Sequence, residues 1–468
     1  MLFDTLQYWI FFAAVLVVYG SLDARSGRGF LVLASFVFYG FWDPRFLILL
    51  AGSIVLNYFS GIAIELALGW RRRSWVTLSI AANLTVLGFF KYFNFFVESF
   101  SRLFALNSSS IALNILLPVG ISFFTFEGIA YNVDVYRKQV PARRSLLDFA
   151  LFMSFFPHLI AGPIIRPRDF FPQLGPKWRI DQADFKWGIM QIIKGLIKKC
   201  IFADSFAVYA NGYFGHASAP VQVTALVGVL AFGMQIYFDF AGYTDIARGC
   251  ARLLGIKFPP NFERPYLACD ISEFWRRWHI SLSSWLRDYL YIPLGGNRGG
   301  VFNTYRNYII VMGLGGLWHG ASWNFLLWGL FHGVLLSTHR LWIGSGPARA
   351  RIWMQHKAGA VFAWMLTTIL VFIGWIPFRA KDWQQTTSTF ADLLHLETYS
   401  FTAIPSELLV MTAISLVYCL LDRGRGLEHW IENRAGLIAF SISAGIAIWL
   451  FSLLMQRNGS IPFLYFQF

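Results

Sequence analysis

Charge is scarce in this chain. Only 14% of its 468 residues are Asp, Glu, Lys or Arg, against roughly 25% in an average soluble domain. Apolar residues make up 56%, and the mean hydropathy is +0.53. A soluble core cannot bury that much apolar surface, whereas lipid accepts it all around a helix bundle. Cysteine is also sparse. Cys200, Cys250, Cys269 and Cys419 show no metal-ligand spacing, and three lie in or beside apolar stretches; they read as free, inert packing thiols, with no metal site. No Gly-rich phosphate loop, His-Glu-x-x-His helix or Gly-x-Ser-x-Gly elbow occurs, which argues against ATPase, metalloprotease and serine-hydrolase chemistry. No cleavable leader is expected either: the first apolar run, Tyr8–Tyr19, follows Asp4 rather than a basic region and lacks a small-residue cleavage site, so it is expected to stay as a span.

What the chain does have is aromatic rings and basic residues. Its 48 Phe, 19 Trp and 19 Tyr suit aromatic belts at headgroup level. The net charge of +14 comes from basic residues in short loops beside apolar runs, the positive-inside pattern, so nucleic acid is not the expected partner. With about 20 residues needed per crossing, clear candidate spans are Phe46–Leu68, Trp75–Val97, Ile111–Val135, Val221–Ala247, Ala358–Phe378 and Leu437–Met455. Shorter or polar-interrupted ones are Gln7–Gly20, Phe30–Trp42, Ile201–Phe214, Tyr308–Trp318, Trp323–Leu341 and Leu408–Leu421. No repeat or long linker appears. The expected fold is an all-α polytopic membrane protein, a single domain over 1–468 with about 11–12 transmembrane helices plus re-entrant and amphipathic surface helices. Arg71, Arg72 and Arg73 are separated by two spans from Arg137, Lys138, Arg143 and Arg144, so both sets are expected on the cytoplasmic side, with the nearly uncharged Asn107–Ser110 outside. Arg423 and Arg425 mark another cytoplasmic loop. This puts the amino terminus outside.

Two segments resist assignment as spans. Leu146–Ile165 is apolar but flanked by basic residues on both sides, and it contains Pro157, His158 and Gly162-Pro163, which break a helix. A re-entrant or surface-lying element is expected, and broken backbone at membrane depth survives only where protein or a wet cavity satisfies it; an internal cavity is expected there. In Ile271–Leu290, Ile271, Phe274, Trp275, Trp278, Leu282, Trp285, Leu286 and Tyr289 make one helical stripe. Asp270 can cap its start with Glu273 in the capping-box position, Glu273 can pair with Arg277, and Arg276, Arg287 and Asp288 populate the other face. The pattern predicts one amphipathic helix lying at the membrane interface.

Ionisable groups inside apolar segments are costly and are functional candidates by default. His319 lies in Gly315-Gly316-Leu317-Trp318-His319-Gly320, where glycines let backbone or a ligand approach the imidazole. A neutral histidine can take a proton from a hydroxyl or thiol and return it; a core histidine hydrogen-bonded across helices fits the residues equally well. His279, one turn from Trp275 and Leu282, reads either as a substrate-orienting partner of His319 or as an interfacial histidine satisfied by lipid phosphate or water. His332 fits a polar link between helices better than a reactive group. Asp239 and Asp245, among Tyr237 and Tyr243, could line a wet passage, but pairing with Arg248 or tyrosine hydroxyls is favoured. A channel or proton-relaying transporter also uses intramembrane charges, but the inverted symmetry of a transporter is not evident.

Several motifs resemble one family. Glu273-Phe274-Trp275-Arg276-Arg277-Trp278-His279-Ile280-Ser281-Leu282-Ser283, with Trp285-Leu286-Arg287-Asp288-Tyr289, resembles the signature of membrane-bound O-acyltransferases, in particular the bacterial branch for alginate and other polysaccharide or cell-wall O-acetylation. Leu317-Trp318-His319-Gly320, 40 residues after His279, is similar to the family's catalytic-histidine motif. Pro118–Phe126, Ala161–Ile164 and Tyr237–Asp245 look like further marks of that branch, and the likeness runs from about Leu116 to Gly333. The resemblance implies a ring of tilted helices around a funnel, with His319 at its thin centre as general base and His279 as the second polar residue. It also implies acetyl-CoA as cytoplasmic donor, with no bound cofactor. An extracytoplasmic lipase-like acetyltransferase would be the partner, passing acetyl to an exported polysaccharide outside a bacterial inner membrane. Arg276, Arg277, Arg287 and Arg298 would suit the donor's phosphates, with Trp278 and Trp318 as further candidates for binding the substrate or donor. Peptidoglycan O-acetylation, or D-alanyl transfer from a carrier protein to teichoic acid, is the alternative within the same chemistry.

Overall fold

The structure, a computed structural model, describes residues 1, 3–104, 112–175, 180–215, 223–347, 356–395, 406–421, 445 and 463–464. Among the described residues there are helices, turns and irregular segments but no strand, so the all-α polytopic expectation holds. Among the described residues, four helices are long and apolar enough to cross a membrane: Phe46–Leu66, Gly69–Leu103, Ala225–Leu253 and Lys357–Arg379; Leu6–Ser21 and Ser406–Ser415 are shorter apolar helices. The expected span Leu437–Met455, the outer loop Asn107–Ser110 and the pair Arg423 and Arg425 lie outside the described residues. The chain divides into two compact units, one of Met1–Ile193, Tyr243–Pro259 and Ala435–Pro462, the other of Lys194–Gly242, Pro260–Arg434 and Phe463–Phe468.

The first unit contains α1 (Leu6–Ser21), α2 (Ala24–Gly40), α3 (Phe46–Leu66), α4 (Gly69–Leu87), α5 (Phe93–Leu103), α6 (Ile121–Tyr136), α7 (Leu146–Ser154), α8 (Pro167–Phe170) and most of α9 (Gln182–Leu196). Side chains of Thr5, Asp23 and Ser145 cap α1, α2 and α7, each giving orphan N–H groups an acceptor. Buried amides hold α3, α4 and α6 together. Asn83 donates to Asn57 Oδ1 at 2.9 Å, and Asn132 donates to the same oxygen and to Ser79 Oγ, both at 2.7 Å. In an apolar surrounding such amide links fasten helices that hydrophobicity alone would not. The two basic segments meet at one end of this unit: Arg72 donates to the Val135 carbonyl at 2.9 Å, and Arg144 pairs with Glu65. The expected helix over Ile111–Val135 starts only at Ile121, because Pro118 and the left-handed Gly120 (φ 76°) precede it.

The helix-breaking residues of Leu146–Ile165 act as expected. α7 stops at Ser154, and Phe155–Arg166 is irregular yet buried throughout. Protein groups, one of the two supports expected for it, hold this stretch. Phe156 N–H donates to Ser35 Oγ at 3.1 Å, and Ile165 N–H to Glu127 Oε1 at 3.4 Å. His158 Nε2 lies 2.9 Å from the same Glu127 oxygen, with Phe155, Phe170 and Phe258 packed around its ring.

The second unit contains α10 (Asp204–Phe214), the part of α11 (Ala225–Leu253) up to Gly242, α12 (Ile271–Arg277), α13 (Ile280–Leu286), α14 (Val301–His319), α15 (Trp323–Ser345), α16 (Lys357–Arg379), α17 (Trp383–Leu394) and α18 (Ser406–Leu421). α14 and α15 form a hairpin with a very close crossing. A Cβ on Gly316 would sit 2.1 Å from the Phe325 carbonyl oxygen, and one on Gly329 2.1 Å from that of Met312. Small residues let the two backbones touch, and Gly316 therefore serves helix packing rather than ligand approach. The amphipathic segment departs from expectation. It is two short helices, not one, because the chain breaks at Trp278 and His279, whose φ is +42°. Asp270 and Glu273 do form the expected cap, and Glu273 pairs with Arg277. The apolar stripe does not face lipid: Phe274, Trp278 and Leu282 are buried, with Trp278 against Tyr237 and Trp375. Aromatic partners on α11 and α16 outcompete the membrane for that face.

Candidate active site

His319 ends α14, where Gly320 turns the chain toward α15 and Ser322 caps the next helix. Its ring is almost buried, at 8% exposure, and packs edge-on to Trp318, Trp328 and Phe378 at centroid distances of 5.0, 5.1 and 5.1 Å. It lines a cavity of about 20 Å³ together with Asp239, Phe240, Trp278, Trp375 and Leu464. A cavity needs roughly 10–15 Å³ to hold one water, so this space takes about one small group. Apart from Asp239 and His319, rings and aliphatic chains dominate the walls.

His279 reaches the same place from the break between α12 and α13. Its ring centroid lies 6.5 Å from that of His319 and 5.9 Å from that of Trp318. The side chain is fully buried, against Phe240 at 4.7 Å, not at an interface as one reading had it. Its Nδ1 lies 3.2 Å from Asn261 Oδ1, which also accepts from the Ser281 N–H at 3.1 Å and the Ser281 hydroxyl at 2.9 Å. An atom that accepts a backbone N–H is an oxygen, so Nδ1 of His279 must donate the proton. The tautomer is thereby fixed, leaving a lone pair on Nε2, which has no hydrogen-bond partner among the described residues. Burial pushes the pKa of this imidazole down to about 3, so it is neutral across the physiological range.

Asp239 is held in a different way from that expected. Its Oδ1 accepts from Lys199 Nζ at 2.8 Å, and Lys199 also reaches Asp204 at 2.9 Å; Oδ2 accepts the Leu464 N–H at 2.7 Å. The structural pairing thus exists, but with Lys199 rather than Arg248. Asp245, in the other unit, does pair with Arg248 at 3.3 Å. His332 is not the expected hydrogen-bonded link: both ring nitrogens lack hydrogen-bond partners among the described residues. It packs as an aromatic ring against Trp328, Trp275 and Phe274, at 5.0, 5.2 and 6.2 Å. Trp328 stands between His332 and His319. The arginines stay outside the cavity. Arg277 pairs with Glu273 and Arg287 with Asp288, while Arg276 and Arg298 are exposed and make no ion pair among the described residues.

The structure therefore gathers His319, His279, Trp278, Trp318 and Asp239 into one place and leaves Arg276, Arg277, Arg287 and Asp245 out of it. Sequence reasoning missed Asn261, Lys199, Trp328, Trp375 and Leu464. Asn261 sits in a loop with no periodicity to flag it, and Lys199 looked like one more basic residue of the positive-inside pattern.

Residues 137–376, which include both histidines, match the MBOAT, membrane-bound O-acyltransferase family. The chain is also 39% identical, over 98% of both chains, to a probable alginate O-acetylase of Azotobacter vinelandii. It belongs to the membrane-bound O-acyltransferase family. As a member, it is a multi-pass membrane enzyme that transfers acyl groups, and the transporter alternative drops out. A probable alginate O-acetylase of Pseudomonas aeruginosa is 43% identical over 80% of this chain and 71% of its own. A peptidoglycan O-acetyltransferase of Helicobacter pylori is 39% identical over 81% and 75%. A teichoic acid D-alanyltransferase of Bacillus subtilis is 33% identical over 48% and 60%.

Proposed function

We propose that this enzyme takes an acetyl group from acetyl-CoA on the cytoplasmic side of a bacterial inner membrane and passes it outward for O-acetylation of an exported polysaccharide such as alginate. The amino terminus would face outside, and the acceptor would be an extracytoplasmic acetyltransferase that hands the group to the polymer. The observation that carries the reading is the placement of His319 on a cavity of one-small-group size, with the His279 ring 6.5 Å from its own, in a chain nearly 40% identical end to end to a probable alginate O-acetylase.

In this mechanism the His319 imidazole removes the proton from the acceptor hydroxyl as its oxygen attacks the thioester carbonyl. The acyl C–O bond forms, the C–S bond breaks, and the imidazolium returns the proton to the leaving thiolate as free CoA. A neutral His279 with a free Nε2 lone pair orients the hydroxyl or accepts a hydrogen bond from the imidazolium. The aromatic walls keep bulk water away from the thioester, limiting hydrolysis. Exposed Arg276 and Arg298 offer charge for the phosphates of the donor.

Acetyl on the exported polymer of producing cells is the direct readout. His319→Ala is expected to cut it by about 10²–10⁴-fold, the scale of a positioned base, with membrane insertion and melting temperature unchanged. Wild-type levels of acetylation in that variant would overturn the role of His319. The 39% identity to a peptidoglycan O-acetyltransferase favours peptidoglycan as the second acceptor to assay; acetyl found there and not on exported polysaccharide would move the proposal to the cell wall.

A further inference from the structure

Leu464 is far in sequence from every motif discussed above, yet its side chain lines the His319 cavity. Two contacts fix it. Its backbone N–H donates to Asp239 Oδ2 at 2.7 Å, and the neighbouring Phe463 ring lies 4.5 Å from the Lys199 ammonium, whose other partners include the same Asp239. Phe463 and Leu464 are both buried, at 0% and 4% exposure. Much of the remaining wall belongs to rings that also build the core of this unit: Trp375 packs on Trp278, Trp328 and Phe378, and Trp328 also packs on Phe378. Leu464 belongs to the same core cluster as these rings, and the carboxylate of Asp239, itself a lining residue, holds its backbone N–H. Its isobutyl group closes a space of about 20 Å³.

We infer that Leu464 sets the length of the acyl group this enzyme accepts. The buried Lys199–Asp239 pair is the clamp that holds it in place. The inference rests on the acyl-transfer reading of the His319 cavity. An acetyl group fits beside His319, and each further methylene of a longer acyl chain runs into the Leu464 side chain. One methylene too many in an apolar pocket is worth roughly 10–200-fold in selectivity. Leu→Ala removes the bulk of the wall but keeps the backbone N–H that Asp239 holds, so the segment stays docked while the space grows.

The test uses inverted membrane vesicles from polymer-producing cells, which carry the full chain together with its extracytoplasmic acceptor, given acetyl-CoA or propionyl-CoA, with CoA thiol release measured and the release by His319→Ala vesicles subtracted. Wild-type vesicles are expected to prefer acetyl by about tenfold or more, and Leu464→Ala to lower that ratio by about tenfold. Leu464→Val, a smaller change, is expected to lower it by less. An unchanged ratio in Leu464→Ala overturns the inference, as does an inactive Leu464→Ala together with an unchanged ratio in Leu464→Val. If wild-type vesicles release no more CoA from acetyl-CoA than His319→Ala vesicles do, the acetyl-transfer reading has failed instead, and the role of Leu464 falls with it.

Discussion

Asn261 Oδ1 lies 3.2 Å from His279 Nδ1 and accepts two further hydrogen bonds from Ser281. One oxygen thus fixes which ring nitrogen carries the proton and which way the other points. If His279 works through its free Nε2, Asn261 is its positioning residue. Asn261→Leu is expected to lower acetyl transfer by roughly 10²-fold, the cost of a reacting group held in the wrong geometry. Asn261→Asp keeps the acceptor and adds a negative charge that favours the imidazolium; it should retain much more activity and shift the acid limb of the rate profile to higher pH. Equal losses in the two variants, with no shift, would make Asn261 a packing residue only.

The depressed pKa of His279 has a stability consequence with a definite sign. The folded imidazole takes up its proton only near pH 3, whereas an unfolded one does so near pH 6.5. Between those values the unfolded chain binds the extra proton, so His279 costs stability as pH falls below about 6.5 and the cost grows toward pH 3. Melting temperatures of the wild type and His279→Gln, measured from pH 7 to pH 4.5, are expected to converge as acid is added. Parallel curves would show that the ring is not held neutral.

Lys199 makes a sharper prediction, because its ammonium is buried between Asp239 and Asp204. Lys199→Met strips a buried carboxylate of its partner, and losses of about 3–5 kcal/mol are typical of that. Adding Asp239→Asn removes the stranded charge and is expected to recover part of the loss. Thermal unfolding in detergent measures both; a double variant no more stable than Lys199→Met would mean that the pair is not coupled.

The α14–α15 crossing depends on the absence of a side chain. Gly316→Ala would place a methyl 2.1 Å from the Phe325 carbonyl, so the helices must part, at about 1–3 kcal/mol. The parting would also displace His319, three residues on. Gly52→Ala, in α3 with nothing within 4 Å of the new Cβ, serves as the control and is expected to be neutral or mildly stabilising. The prediction fails if both variants melt together and acetylate equally.

Composition alone determined the class of this protein, because apolar content at this level has no other stable solvent than lipid. Local chemistry in the sequence determined the cap of α12 by Asp270 and Glu273, the break after Ser154 and the grouping of the two basic segments, since each depends on near neighbours or on charge counted over short loops. The two histidines were legible as candidates because ionisable groups are rare in apolar runs. What tertiary structure decided was everything that joins residues far apart in the chain. The break at His279, which turns an expected interfacial residue into a buried one, follows from the pull of Tyr237 and Trp375 on Trp278. Asp239 chose Lys199 over the nearer Arg248 for the same kind of reason, and Leu464 came to His319 across 144 intervening positions of chain numbering. Periodicity records which face of an element is apolar, but not which distant ring, charge or backbone amide will cover it. That choice is made only when the elements pack.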